Sequence, residues 1–281
     1  KAKQVLLIQV FANLLNLVLN LWFVFGLGLE VLGVALASVV AEYSISIISI
    51  IVALNLIGKP IIQKKWFSRT YLHSLLSLNG NTFFRNLILQ ACIAFLIFRG
   101  VGFGSTSAAI NAILMQFFSL IALGLDGVAY AAEALVGEQK GQKNADGIIH
   151  VTLHGLVWST IVAIIYSSIF IVWGTEIIST ITDQPILQLG MQDYLIFVYC
   201  LPIIAHWCFF FDGVFVGLTR SQAMRNSMLL CGLVIYFPAF WVFLSYENQG
   251  LWMAMLLFLL FRGISLGGYF IYLCRTGKVA V

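Results

Sequence analysis

The sequence predicts an all-α membrane protein, a polytopic bundle of eight transmembrane helices. Two observations carry this prediction. Of the 281 residues, 61% are hydrophobic and only 9% are charged, whereas soluble domains carry about 25% charged residues. The apolar residues also gather into eight runs, each of about 20 residues or more. The net charge of +4 does not indicate a nucleic-acid partner, because the basic residues lie in the loops between runs.

The eight predicted spans follow from the roughly 20 apolar residues that a helix needs to cross a bilayer. They cover residues 5–25, 31–57, 86–104, 108–136, 147–173, 194–218, 227–245 and 251–274. Residues 58–85 separate the second span from the third, and this segment is basic and amphipathic. We expect it to lie along the membrane surface and to end in a turn at Asn79, Gly80 and Asn81.

The charges of the loops alternate along the chain, which predicts the orientation of the protein. Every Lys and Arg except Arg99 and Arg262 falls in the termini or in loops on one side of the membrane. Loops on the other side carry acidic residues: Glu30, Glu176, Asp183 and Glu247. The positive-inside rule makes the basic side cytoplasmic. We therefore expect both termini to lie in the cytoplasm.

The stretch from residue 108 to residue 137 is long enough to cross a membrane and still contains two acids. Asp126 and Glu133 are seven residues apart, on nearly the same face of a helix, with Tyr130 between them. A carboxylate at membrane depth is costly unless it is paired, hydrated or protonated. Two interpretations stay open: an interhelical ion pair with Arg262 or Arg99, or a proton or cation site coupled to transport.

Four further polar residues lie inside predicted spans. Asp212 sits among aromatic residues, which suit an organic cation, although aromatic packing with the acid bonded to a neighbouring helix accounts for the pattern equally well. Glu42 lies near the middle of the second span, where we expect it to pair with a charge on another helix. Asn16 and Asn20 are one turn apart, so they can line a polar cavity or join helices.

Signatures of enzymes and metal sites are not found in the sequence. It contains no protease motif and no Walker loop, so we expect neither an enzyme nor a cofactor. His150 and His154 have the spacing of a zinc pair, but no third ligand is evident and no metal is expected. The five cysteines lie in or beside apolar runs, as small buried hydrophobic residues do.

Four stretches resemble the multidrug and toxic compound extrusion transporters, most closely the DinF branch. They are residues 13–43, 124–143 (GLDGVAYAAEALVGEQKGQK), 181–185 (ITDQP) and 209–227 (FFFDGVFVGLTRSQAMRNS). The resemblance implies a twelve-helix transporter of two six-helix lobes, of which this chain supplies helices five to twelve. Residues 1–57 would end the N-lobe, residues 58–85 would be the cytoplasmic linker and residues 86–281 would form the C-lobe. We expect a fragment, since the first residue is Lys1.

The resemblance also implies a function. Members of the family export organic cations and other amphipathic compounds by proton or sodium antiport with alternating access. We accordingly expect a protein of the bacterial inner membrane, a monomer when full length. Its partners would be small-molecule substrates and the lipid bilayer, and H⁺ or Na⁺ would be the coupling ion.

The resemblance assigns candidate site residues, with one departure from the family pattern. Asp212 matches an acid of helix ten that related branches use for cation binding, and Asp126 and Glu133 match acids typical of helix eight. The family places coupling on an Asn-x-x-x-Asp pair in helix five. Asn16 matches that pair, but Asn20 stands in place of the Asp and cannot titrate.

Two alternative functions stay open at this point. A flippase for lipid-linked intermediates would share the topology, but we expect its cavity to be more cationic in order to hold a pyrophosphate. The predicted interior argues against it, with four acids (Glu42, Asp126, Glu133 and Asp212) against the two arginines Arg99 and Arg262. The second alternative is a truncated membrane protein that does not transport.

Overall fold

The computed structural model describes residues 2–57 and 68–280, and its regular elements there are all helical. The α-helices are α1 (Ala2–Leu21), α2 (Glu30–Ile57), α3 (Arg69–Gly102), α4 (Ser105–Gly141), α5 (Ala145–Ile181), α6 (Pro185–Gly190), α7 (Leu195–Gly217), α8 (Ser221–Leu230), α9 (Phe237–Val242) and α10 (Glu247–Arg275). Within the described ranges, eight helical segments are long and apolar enough to cross a membrane. The prediction of an all-α protein with eight spans is confirmed.

Short turns of other helix types join several of these elements. A π-helical turn extends α1 (Trp22–Gly26), and another (Cys231–Tyr236) connects α8 to α9. The second turn lies just before Pro238, near the start of α9. Because proline has no N–H to donate to the preceding turn, the regular hydrogen-bond ladder cannot continue through it. The chain therefore changes its helical pitch here without leaving the membrane-spanning path.

Helix α3 differs from its prediction, because it starts well before the predicted third span. It begins at Arg69 and continues through the predicted turn at Asn79, Gly80 and Asn81. Asn81 is buried, donates to Ser221 Oγ at 3.2 Å and accepts from Arg225 Nη1 at 2.6 Å. These tertiary contacts hold a helix where local turn propensity predicts a break. Residues 58–67 lie outside the described ranges, so the membrane-surface segment stays a prediction.

Helices α4 and α5 are longer than the predicted spans. Each contains 37 residues, which corresponds to roughly 55 Å of helix, whereas the hydrocarbon core of a bilayer is about 30 Å thick. Their apolar middles match the predicted spans, so their polar ends must extend into the headgroup region or beyond. Hydropathy located these helices but not their ends.

Contacts between Cα atoms divide the chain into two compact units, one ending at Leu72 and one starting at His73. In the first unit, α1 packs along α2. The buried side chains at this contact are small: Ala12, Ala37 and Ala41. Small residues let two membrane helices approach closely, while the large apolar side chains of both helices remain exposed.

The second unit is a bundle in which α7 is central, since it packs against α4, α5 and α10. Two glycines of α7 set its distance from α4. A Cβ added at Gly213 would collide with the backbone of Ala129, and one added at Gly217 would lie 2.6 Å from the carbonyl oxygen of Glu133. The two backbones are therefore nearly in contact, and only glycine fits at these positions.

Candidate functional site: a charged cluster in the second unit

Asp212 in α7 lies between two arginines from two other helices. Its Oδ2 accepts a hydrogen bond from Arg262 Nη2 in α10 and lies 3.3 Å from Arg85 Nη1 in α3. The side chains of Asp212, Arg262 and Arg85 are only 18%, 5% and 20% exposed. We call these three residues the Asp212 cluster. It brings a carboxylate and two guanidinium groups together at a point where three helices converge.

One oxygen of Asp212 carries both contacts, while the other has none. Among the described residues, Asp212 Oδ1 is buried and has no hydrogen-bond partner, and the same is true of Arg262 Nε. Buried polar atoms are nearly always hydrogen-bonded, so an unpaired acceptor in a membrane helix bundle requires a physical reason. The carboxylate therefore retains acceptor capacity that no described residue uses.

Asp126 of α4 lies close enough to interact electrostatically with the cluster. It is half-buried and interacts with both Asp212 and Arg85, although it makes no ion pair within the described ranges. The close approach of Ala129 to Gly213 accounts for its proximity, because each acid lies within one turn of that contact. Two acids and two arginines thus lie near one another, with no net formal charge.

Glu133 and Tyr130 lie further along the same helix, and neither joins the cluster. Glu133 is half-buried, with no ion pair to any described residue. The side chain of Tyr130 is 68% exposed. Both residues lie on the same side of α4 as Asp126, as the sequence spacing indicates. Only Asp126 is close enough to Asp212 along the helix axis to interact with it.

The ion pair differs from the one that the sequence left open. Arg262 pairs with Asp212, whereas the ion-pair interpretation of Asp126 and Glu133 gave Arg262 or Arg99 as their partner. Arg99 pairs with no described acid: its guanidinium carbon lies 5.8 Å and 5.2 Å from the ring centroids of Phe103 and Phe240, as in cation–π contacts. Arg99 lies too far along α3 to reach the acids. It is 14 residues from Arg85, which contacts Asp212, and this spacing corresponds to about 21 Å of helix.

Arg85 is the member of the Asp212 cluster that sequence reasoning missed. The predicted third span starts at residue 86, which places Arg85 in a cytoplasmic linker. Helix α3 in fact continues through it and directs it toward Asp212. The only sequence signal is indirect, since Arg85 falls one residue before the apolar run instead of among the linker lysines.

The polar residues of the first unit form a small network of their own. Asn20 Nδ2 donates to Asn16 Oδ1 at 2.7 Å, and Asn16 Nδ2 donates to Ser38 Oγ of α2 at 3.4 Å. Asn20 Oδ1 is buried without a partner among the described residues. Glu42 is exposed and forms no ion pair within the described part of this unit, so the expected charge partner is not found there.

A second buried polar group, which the sequence did not predict, lies at the other end of the second unit. Asn111 of α4 and Asn248 of α10 exchange two hydrogen bonds of 2.8 Å and 3.0 Å. Trp252 Nε1 donates to Asn111 Oδ1 at 2.8 Å, and Asn248 Nδ2 also donates to Tyr194 Oη at 3.0 Å. We call these four residues the amide cluster. It joins α4, α10 and the turn before α7.

An apolar groove of ≈ 550 Å³ lies between α4 and α5. Its walls include Gly127, Leu135, Trp158 and the histidine pair His150 and His154. The two imidazole rings lie 4.0 Å apart. Within residues 2–57 and 68–280, no three His, Cys, Asp or Glu side chains come together as metal ligands do.

Comparison with known proteins adds a family assignment to this geometry. The MatE family model matches residues 82–242. DNA damage-inducible protein F of Escherichia coli (strain K12) is 34% identical over an alignment of 275 positions that covers 94% of this chain and 58% of that protein. Protein DETOXIFICATION 45, chloroplastic, of Arabidopsis thaliana is 21% identical over an alignment of 258 positions that covers 90% of this chain and 45% of that protein. The chain therefore spans about half the length of these curated relatives.

Solved structures share the fold. The Vibrio cholerae MATE transporter VcmN in the bent form matches with a TM-score of 0.81 at 18% identity, covering 97% of this chain and 63% of that chain. A MOP superfamily transporter from Pyrococcus furiosus, described as having a binding pocket of reverse polarity, matches with a TM-score of 0.80 at 18% identity, covering 98% and 62%. Since the family model matches more than half of the chain, the chain belongs to the MatE family of multidrug and toxic compound extrusion transporters.

Proposed function

We propose that the full-length protein is a secondary transporter that exports organic cations or other amphipathic compounds by proton or sodium antiport. The observation that carries this proposal is the Asp212 cluster, whose charged side chains are at most 20% exposed inside a helix bundle of a transporter family. Ionised side chains are costly at membrane depth and usually mark the path of an ion or substrate. The unpaired Asp212 Oδ1 is an acceptor for such a cation.

In this proposal, each candidate residue has a distinct role. Asp212 binds the cation, and Asp126 strengthens the negative potential there because it interacts electrostatically with Asp212. Glu133 and Tyr130 lie further along the path on α4. Asn16 and Asn20 line a polar cavity of the N-lobe, where the amide at position 20 can bond or coordinate but cannot release a proton.

The proposed architecture follows the family plan. Residues 1–57 contribute the last two helices of the N-lobe and residues 86–281 the C-lobe. Residues 58–85 link the lobes, and the later part of this linker, from Arg69 onward, is already part of helix α3. Both termini lie in the cytoplasm, the protein is in the bacterial inner membrane, and it acts as a monomer. Alternating access exposes the Asp212 cluster to one side of the membrane at a time, so that entry of the coupling ion drives exit of the substrate.

The replacement of Asp212 by Asn in the full-length protein tests this function. Asp212→Asn keeps the shape of the side chain and removes its charge, so efflux of a cationic dye from intact cells should fall at least about tenfold while the amount of protein in the membrane is unchanged. Glu176→Gln is the matched control, because Glu176 is exposed and lies at the far end of α5. Equal efflux by Asp212→Asn and Glu176→Gln would remove Asp212 from the site.

A flippase for lipid-linked intermediates is the second candidate, and the position of Arg85 favours it. With Arg85 counted, the interior of the second unit contains as many arginines as acids: Arg85, Arg99 and Arg262 against Asp126, Glu133 and Asp212. The sequence alone gives more acids than arginines in the interior, which argues against an anionic substrate. In the described part of this unit the two numbers are equal, so that argument does not hold there. Guanidinium groups bind phosphate oxygens well. Removal of Arg85 distinguishes the candidates, since an anionic substrate would lose a binding group and a cation would lose a competitor.

A further inference from the structure

We propose that Arg85 is an exchangeable counter-ion of Asp212. When the site is empty it contacts both the carboxylate and the amide of Asn86, and when a cation binds to Asp212 it gives up the carboxylate and keeps the contact with Asn86. Arg262 stays in place throughout as the fixed partner. This inference rests on the proposed function, because it concerns how the same site accepts its cation.

The two arginines hold Asp212 in different ways. Arg262 is almost completely buried and donates a direct hydrogen bond to Asp212 Oδ2. Arg85 is four times more exposed, 20% against 5%, and approaches the same oxygen only through Nη1 at 3.3 Å. This contact has the distance of an ion pair but lacks the alignment of a hydrogen bond, so it is the weaker of the two and the easier to release.

Arg85 already has a second partner next to it. Its Nε and Nη2 lie 3.3 Å and 3.1 Å from Asn86 Oδ1. Only Nη1 has to leave Asp212 for the guanidinium to rest fully on Asn86. The arginine therefore keeps two of its contacts when it is displaced, which lowers the cost of moving a charged group away from its acid.

Exchange also keeps a positive charge beside Asp212 at every stage. An incoming cation would replace one positive charge beside Asp212 with another, so no uncompensated carboxylate is left inside the bundle. Asp212 Oδ1 gives that cation a buried acceptor that neither arginine uses. Asp126 interacts electrostatically with both Arg85 and Asp212, so it attracts either cation and does not favour one over the other by itself.

Binding of tetraphenylphosphonium, a permanent organic cation, to the purified full-length protein in detergent tests the exchange. Arg85→Gln removes the internal competitor, so the Kd should fall at least about tenfold, which corresponds to about 1.4 kcal/mol. Arg85→Lys keeps a competing charge, and its Kd should stay within about twofold of the wild-type value. Asp212→Asn should weaken binding in both backgrounds and abolish the gain from Arg85→Gln.

A second pair of variants changes Asn86, the residue that keeps Arg85 when it leaves Asp212, and removes no arginine. Asn86→Asp offers Arg85 a stronger partner, so it should draw the guanidinium away from Asp212 and tighten tetraphenylphosphonium binding several-fold. Asn86→Leu removes the resting place and should weaken binding. The new carboxylate of Asn86→Asp also attracts the cation directly, so the loss of binding in Asn86→Leu is the decisive result, and it decides the matter even if Arg85→Gln fails to fold. Unchanged binding in Asn86→Leu overturns the exchange.

The possible failures are distinguishable. If Asp212→Asn weakens binding but Arg85→Gln and both Asn86 variants leave it unchanged, Arg85 is a fixed partner and the exchange is wrong, while the proposed function stands. If Asp212→Asn has no effect on binding or efflux, the cation site itself is wrong and the exchange falls with it. Weaker cation binding by Arg85→Gln overturns the exchange as well, because it makes Arg85 a support of the site.

Discussion

The second unit contains two polar clusters inside its helix bundle, one fully buried and one partly buried, and they differ in charge and in hydrogen bonding. The amide cluster is neutral, and each of its side-chain polar atoms has a partner: Asn111 and Asn248 bond to each other, to Trp252 and to Tyr194. The Asp212 cluster is charged, and it leaves Asp212 Oδ1 and Arg262 Nε unpaired among the described residues. Both clusters join α10 to other helices of the same unit.

Under the proposed function, the amide cluster serves stability and the Asp212 cluster serves transport. A neutral network with all its hydrogen bonds made rigidifies the helices that it joins. A buried ion pair with unmet hydrogen bonds contributes little net stability, because the desolvation penalty offsets the attraction. The proposed function gives a reason to retain such a pair inside a membrane bundle, because under it the pair binds an ion or substrate.

The largest expected loss of stability comes from removal of one charge in the Asp212 cluster, and it tests the comparison of the two clusters. Arg262→Leu leaves Asp212 with only the weaker contact to Arg85, so we expect a loss of about 3–5 kcal/mol of stability. The double variant Arg262→Leu with Asp212→Leu removes both charges and should recover most of that loss. Thermal unfolding of the purified full-length protein measures both effects. Arg262→Leu with wild-type stability would mean that the pair is not buried as described.

A smaller effect is expected at the amide cluster. Asn111→Leu removes three hydrogen bonds and leaves polar atoms of Asn248 and Trp252 unpaired, which costs about 1–3 kcal/mol for each buried group that stays unsatisfied. Efflux of a cationic dye per folded molecule should be unchanged, since these residues lie apart from the acids. The measurement combines thermal unfolding with efflux normalised to the amount of folded protein. A fall in normalised efflux would break the division between a stabilising and a functional cluster.

The same two clusters show what sequence reasoning can recover. The eight spans are predictable because a run of about 20 consecutive apolar residues rarely occurs outside a membrane-spanning helix, and intramembrane acids such as Asp212 stand out against that apolar background. Arg85 is not predictable, because hydropathy marks the apolar part of a helix and Arg85 lies one residue outside it. The amide cluster is even less accessible, since Asn111 and Asn248 are 137 residues apart and a single Asn in a span has no partner that the sequence can name.

Asp126 gives the smallest expected change in stability and the sharpest test of the comparison, because it belongs to neither cluster. It makes no ion pair with any described residue but interacts electrostatically with Asp212 and Arg85. Asp126→Asn should therefore change the free energy of unfolding by less than about 1 kcal/mol, yet efflux of a cationic dye should fall because the negative potential around Asp212 is weakened. Thermal unfolding and efflux of the full-length variant, beside Glu176→Gln, measure the two effects. If Asp126→Asn is clearly less stable than the wild type, Asp126 holds the bundle together. If Asp126→Asn retains full efflux, Asp212 alone supplies the negative potential at the site.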